Sequence, residues 1–165
     1  MAVDFPLDGP LAQQASAVPY RNSERGLEFC LITASGNPRK WGFPKGAIDP
    51  GETPPEAALK EAWEEAGLRG EISEAPLGQY LYKKSGRRLR VVVYLMEVQV
   101  CALYWDESHR RKRQWVRAEQ VPAKLGSSLL QPLFELAIAQ LEQNDGLPSL
   151  DSLLNDSGNE ARLAD

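Results

Sequence analysis

Apolar and polar positions follow two rhythms along this chain, and the switch between them marks out its elements. Residues 15–21 and 27–33 are short runs of β-prone residues, separated by the polar turn Asn22-Ser23-Glu24-Arg25 and closed by Gly26. They read as two strands joined by a turn. Ser35-Gly36-Asn37-Pro38 is a loop signal, and residues 41–44 form a short apolar stretch ahead of Lys45-Gly46. Strand-like runs return at residues 77–83 and 89–100, with Ser85-Gly86 as the hairpin turn between them, and again at 114–116. Residues 118–121 read as a single helical turn. Over residues 129–141 the period changes: Leu130, Leu133, Phe134, Ala137, Ile138 and Leu141 share one helical face, as expected of a helix that packs on a core and carries no chemistry. Residues 1–14 read as a loose leader and 144–165 as a polar, disordered tail, which leaves 15–143 as one domain.

A second helix is predicted over residues 54–66. Asp49-Pro50-Gly51 is a turn, Thr53 can cap, Pro54 and Pro55 fit the first turn, Glu56 suits its positive end, and Gly67 terminates it. On a wheel of about 100° per residue, Glu61, Glu64 and Glu65 fall within one face roughly 100° wide. Leu59, Ala62, Trp63 and Ala66 fall opposite, on the side expected to meet the core. Three carboxylates on one face repel one another, and only Lys60 is near in sequence to relieve them. A hard divalent cation would relieve them directly, because magnesium takes oxygen ligands. The preceding loop strengthens that reading. Gly46 lets a main-chain carbonyl approach the same cation, and Glu52 could orient a water or hold another carboxylate from outside the helix.

Composition fits one globular domain: 165 residues, 42% of them apolar and 25% charged. No apolar run is long enough to cross a bilayer, and the first residues carry no secretory pattern, so a cytoplasmic protein without a membrane partner is expected. Cys30 and Cys101 both sit in strand-like runs and are expected to be buried, reduced thiols. His109, the single histidine, reads as an exposed loop residue. The net charge of −4 counts against a dedicated nucleic-acid binder, and no stable nucleic-acid partner is expected. Its distribution is more telling. Residues 83–113 hold nine Lys or Arg against three acids, which leaves a surplus of ten acids elsewhere. A basic stretch on an acidic protein can attract a compact polyanion.

The order Gly46, Glu52, Lys60-Glu61, Ala62, Trp63, Glu64-Glu65, Ala66, Gly67, Leu68 resembles the signature of the Nudix hydrolases. One position departs: Lys60 stands where the family has an arginine that helps orient the neighbouring glutamates, and a lysine keeps the charge without the planar fork. The resemblance implies an α/β fold, an α/β/α sandwich with a mixed sheet, and metal-dependent hydrolysis of a phosphoanhydride with Mg2+, or Mn2+, as cofactor. It implies that Glu61, Glu64 and Glu65 are metal ligands together with the Gly46 carbonyl, that Glu61 is a candidate base, and that Glu107 is a candidate fourth carboxylate. Glu52 and Lys60 complete the expected catalytic set.

Trp41-Gly42-Phe43-Pro44-Lys45-Gly46 and Arg111-Lys112-Arg113-Gln114-Trp115 resemble runs of the diphosphoinositol polyphosphate and diadenosine polyphosphate hydrolases. On that resemblance Arg39, Lys45, Lys83, Arg88, Arg90 and Arg113 are expected to clamp phosphates, and the partner is expected to be a small polyphosphorylated substrate. A monomer or homodimer would serve. Two rival readings are a non-catalytic Nudix-fold regulator that binds a nucleotide, and an RNA 5′-pyrophosphohydrolase. The retained glutamates count against the first, and the lack of an aromatic-rich single-strand platform counts against the second.

Overall fold

The computed structural model describes residues 12–144, so the expected leader and tail lie outside it except for residues 12–14 and 144. Eight strands and three helices follow in the order β1 (Ala12–Ser23), β2 (Gly26–Ala34), β3 (Asn37–Gly42), β4 (Lys45–Ala47), α1 (Pro54–Ala66), β5 (Leu68–Ile72), β6 (Gly78–Lys84), β7 (Arg87–Cys101), β8 (Arg113–Arg117), α2 (Val121–Lys124) and α3 (Gln131–Asn144). Short 3-10 turns precede α2 and α3. No helix among the described residues is long and apolar enough to cross a membrane.

The strands make one mixed sheet. β1 and β7 run parallel, and every other pairing is antiparallel. Its long central strands alternate between two cores, as the twofold period of a strand requires. Val18, Phe29, Leu31, Val91, Val93 and Leu95 point to one side, where Leu130, Leu133, Phe134, Ala137 and Leu141 of the α3 region meet them. Ala15, Ala17, Cys30, Ile32, Tyr94 and Met96 point to the other, against Ala57, Ala58, Ala62 and Ala66 of α1. The result is the expected layer order of helix, mixed sheet, helix. Small side chains on both α1 and β1 let the helix sit close to the sheet, which matters because α1 carries the glutamates.

Several elements match the sequence pattern closely. α1 begins with a capping box, in which the Thr53 side chain accepts from the Glu56 N–H and the Glu56 carboxylate accepts from the Thr53 N–H. It stops at Gly67, whose φ of 67° is left-handed. The 85–86 turn has two positive φ angles, 52° at Ser85 and 75° at Gly86, as a tight twisted hairpin needs.

Other expectations are corrected. Asn37 and Pro38 start β3 where a loop was expected, β1 starts at Ala12, and the short strands β4 and β5 carry no readable alternation of their own. Cys30 is buried but Cys101, the last residue of β7, is exposed. The wheel also has to be turned. Glu61 and Glu65 are buried with the alanines, whereas Leu59 and Trp63 are only partly covered. Trp63 instead carries the Arg69 guanidinium on its ring, 3.9 Å from the centroid.

Candidate active site

The site begins where the sheet splits. β1 pairs with β2 only through residues 20–23; at residues 14–16 the same edge of β1 takes β4. β2 meanwhile takes β3 at Ile32–Ala34. A cavity of about 630 Å³ opens in this region, lined by Ile32 and Thr33 of β2, Trp41 and Phe43 of the β3–β4 segment, and Tyr80 and Tyr82 of β6. It touches the glutamate helix at Glu65 and the following loop at Arg111.

Glu65 is 6% exposed, and each of its oxygens already accepts a hydrogen bond. The Lys45 N–H donates to Oε2 at 3.2 Å, and Arg111 Nη2 donates to Oε1 at 3.2 Å. Burial nonetheless raises its pKa to about 8, with Arg111 pulling it down and Glu61 pushing it up. Glu61 lies against the main chain of Gly46. A methyl group on Gly46 would stand 2.2 Å from the Glu61 carboxyl carbon and from Oε1. Its pKa is also raised, first by burial and then by the neighbouring Glu64 charge, with Lys60 opposing. Glu64 is half-buried, and its carbonyl accepts from the Glu107 N–H at 3.2 Å.

That last bond belongs to the loop that holds Glu107, the expected candidate for a fourth carboxylate. Residues 102–112 fold back over the end of α1: Ala102 N–H donates to Gly67 O, Glu107 N–H to Glu64 O, and Lys112 exchanges two main-chain and side-chain bonds with Thr33. The loop delivers Glu107 close enough to raise the pKa of both Glu61 and Glu65. It also delivers Arg111, which the charge count grouped with the other basic residues. The one available signal was its place in the Arg-Lys-Arg run.

The predicted basic residues separate into two groups. Lys45 and Lys83 line the cavity, joined by Lys40 and Lys84, which were not singled out. The Lys45 amine sits 4.0 Å from the Tyr82 ring centroid, and its pKa is lowered to about 8 by burial, then by the charges of Lys40 and Lys84, with Glu65 opposing. Arg39, Arg88, Arg90 and Arg113 are not among the lining residues. Arg88 and Arg90 do share one strand face, but it is the face of Val92, turned toward the α1 side and away from Tyr80 and Tyr82. Arg113 has a structural task. Its Nη1 donates to Ala66 O at 2.7 Å, capping the end of α1, while its guanidinium lies 4.0 Å from the Trp105 ring centroid. Glu52 and Lys60 pair with each other at 3.0 Å, and Lys60 also reaches Asp49 at 2.8 Å. Lys60 thus ties the loop to the helix, and its amine pKa is raised by those two hydrogen bonds.

Among the described residues no three acidic, cysteine or histidine side chains form a ready-made ligand cluster. The donor set still fits a hard divalent cation. Buried Glu61 faces the Gly46 main chain too closely for a Cβ, buried Glu65 accepts from the adjacent Lys45 N–H, and Glu64 and Glu107 stand beside them. All these groups offer oxygen, which Mg2+ and Mn2+ accept. The arrangement combines an acidic end with a cationic, aromatic-walled receptacle.

The NUDIX domain family model matches residues 10–136. Mouse diphosphoinositol polyphosphate phosphohydrolase 2 is 30% identical over 146 residues, covering 84% of this chain and 79% of that protein. The human protein of the same name is 33% identical over 109 residues, covering 65% of this chain, and the match spans 58% of its own length. Among solved structures, a Caenorhabditis elegans Ap4A hydrolase superposes with a TM-score of 0.65 at 28% identity, covering 80% of this chain and 99% of that one.

Proposed function

Because the chain belongs to the Nudix family, we propose that it hydrolyses a phosphoanhydride bond in a polyphosphorylated substrate, with a dinucleoside polyphosphate as the preferred class. The observation that supports this reading is a cavity that runs from buried Glu65 to four lysines and four aromatic side chains, Trp41, Phe43, Tyr80 and Tyr82. The lysines suit a chain of phosphates, and the aromatic walls suit a flat nucleobase.

Glu61, Glu64, Glu65 and the Gly46 carbonyl would hold Mg2+ or Mn2+. When bound, such an ion neutralises charge on phosphate oxygens and acidifies a coordinated water. Lys45 lies next to Glu65 and would grip the phosphate undergoing attack, while Lys40, Lys83 and Lys84 hold those beyond it. Glu61 is the assigned base: its carboxylate is buried beside Gly46, and burial and the Glu64 charge raise its affinity for a proton. The water oxygen bonds to one phosphorus, the bridging P–O bond breaks, and the shortened phosphate leaves.

An inositol pyrophosphate is the second reading, favoured by the relatives named for diphosphoinositol polyphosphate. It would satisfy the lysines but leave the aromatic walls without a partner. The test is a panel of diadenosine tetraphosphate, an inositol pyrophosphate, ATP, a nucleotide sugar and 5′-triphosphorylated RNA, assayed with Mg2+ and with Mn2+. Diadenosine tetraphosphate should show the highest kcat/KM, and Glu64→Gln should lower turnover by about 10² or more. A clear preference for the inositol compound would move the assignment to the second reading. Binding of nucleotides without turnover of any substrate would leave a regulator.

A further inference from the structure

We infer that Arg111 is the positioning residue that holds the Glu65 carboxylate in its ligating orientation, a task that the signature gives to position 60. The inference rests on the reading that Glu61, Glu64 and Glu65 hold a divalent cation. Lys60 is committed elsewhere, with its amine 2.8 Å from Asp49 and 3.0 Å from Glu52. Arg111, by contrast, uses all three of its nitrogens on three different segments. Nη2 donates to Glu65 Oε1 on α1 at 3.2 Å, Nε to Glu107 Oε1 in the loop at 3.0 Å, and Nη1 to the Thr33 carbonyl on β2 at 3.1 Å. Its side chain is only 15% exposed.

The backbone that carries it is fixed on both sides. Lys112 N–H donates to Thr33 Oγ1 at 2.9 Å, and Glu107 N–H donates to Glu64 O at 3.2 Å. The guanidinium is therefore placed before any ligand arrives, and a planar fork can meet three acceptors in fixed directions where a single ammonium cannot. A carboxylate has about four lone-pair positions. Arg111 and the Lys45 N–H occupy one on each Glu65 oxygen, leaving one on each oxygen in a plane that the two donors set. Arg111 also lines the cavity, so a plain phosphate clamp is the competing role.

The two roles separate in Arg111→Lys, which keeps the charge and loses the fork. Mn2+ alone is titrated into the full-length protein, with free Mn2+ read by electron paramagnetic resonance, and kcat and KM are then measured on diadenosine tetraphosphate. Positioning predicts a Mn2+ Kd raised about tenfold or more, the usual cost of removing a partner that orients a ligand. A matching fall in kcat should accompany it, with KM within about twofold. An unchanged Mn2+ Kd with a raised KM would overturn the inference in favour of the clamp. Arg111→Gln gives the second reading, and decides alone if the lysine variant does not fold. With Mn2+ affinity measured across pH, so that the proton Glu65 must release is accounted for, removing a cation beside a dication should by charge alone tighten binding, whereas a lost orienting group loosens it. Looser binding supports positioning, and equal or tighter binding overturns it. Wild-type protein that binds no Mn2+ would remove the metal reading as well, which is a different result from wild-type binding retained by both variants.

Discussion

Gly46→Ala isolates one contact at the centre of the proposed site. Gly46 does not have a positive φ, so alanine is compatible with the backbone there, and any effect must come from the added methyl group. That methyl would lie 2.2 Å from the Glu61 carboxyl carbon and Oε1, and 2.6 Å from Oε2. Ordinary carbon contacts start near 3.4 Å, so the carboxylate must retreat by about 1 Å. The retreat is cheap for the fold, because Glu61 can rotate its side chain, and the loss of backbone freedom in the unfolded chain offsets it by about 0.4–1 kcal/mol. It is expensive for chemistry, since a displacement of about 1 Å can cost 10² in rate, about 2.7 kcal/mol of barrier. The expected result is a variant with a thermal midpoint close to wild type, Mn2+ binding weakened, and diadenosine tetraphosphate turnover about 10²-fold lower. A folded variant with kcat within threefold of wild type and unchanged Mn2+ affinity would refute the assignment of Glu61 and Gly46 to one metal-binding spot.

Two further outcomes test the electrostatics and the end of α1. Arg113→Ala removes the hydrogen bond to Ala66 O and the stack on Trp105, together worth about 1–3 kcal/mol. Its thermal midpoint should fall by roughly 3–10 °C while KM stays within about twofold; an unchanged midpoint with a raised KM would return Arg113 to the phosphate clamp. For Glu65, burial raises the folded-state pKa from the ordinary 4.5 to about 8, so the folded metal-free protein keeps a proton that the unfolded chain releases. Stability without metal should therefore fall as pH rises through that window, and Glu65→Gln should flatten the slope. Mn2+ must displace the same proton, so its affinity should climb up to about pH 8 and then level off. Affinity independent of pH between 6 and 8 would contradict a buried, protonated Glu65.

The sequence made legible what depends on local pattern. The limits of α1 followed from Thr53, Glu56 and Gly67, because caps act within a few residues. The core face of α3 followed from its period, and all six of its predicted residues pack against the same cluster. What stayed hidden depends on pairing at a distance. β4 and β5 are strands because β1 and β7 offer them edges, and their three and five residues hold too few turns of the alternation to declare it. The wheel placed Ala62 and Ala66 correctly against the core, but the buried face is rotated so that it takes in Glu61 and Glu65 and leaves Trp63 only partly covered. A carboxylate face is expected outside, and only the Lys45 N–H and the Arg111 side chain make burial of Glu65 tolerable.

The same distinction explains the basic residues. Of the counted stretch only Lys83, Lys84 and Arg111 line the cavity, beside Lys40 and Lys45 from outside it, and the strand period sets Arg88 and Arg90 apart. Arg88 and Arg90 fall on the α1 side of β7, while the aromatic cavity opens toward Tyr80 and Tyr82. Arg111 and Arg113, two residues apart in one basic run, part company for a similar reason. The first belongs to the loop that closes over Glu65, and the second opens β8 beneath Trp105. A run of charges specifies a field, and a field can attract a polyphosphate from any direction. The choice between anchoring the fold, orienting a ligand and gripping a phosphate is made by which carbonyl or carboxylate each guanidinium finds. Here those acceptors are Ala66 O for Arg113 and Thr33 O, Glu65 and Glu107 for Arg111, and each comes from an element remote in sequence or from a loop fold that no period announces.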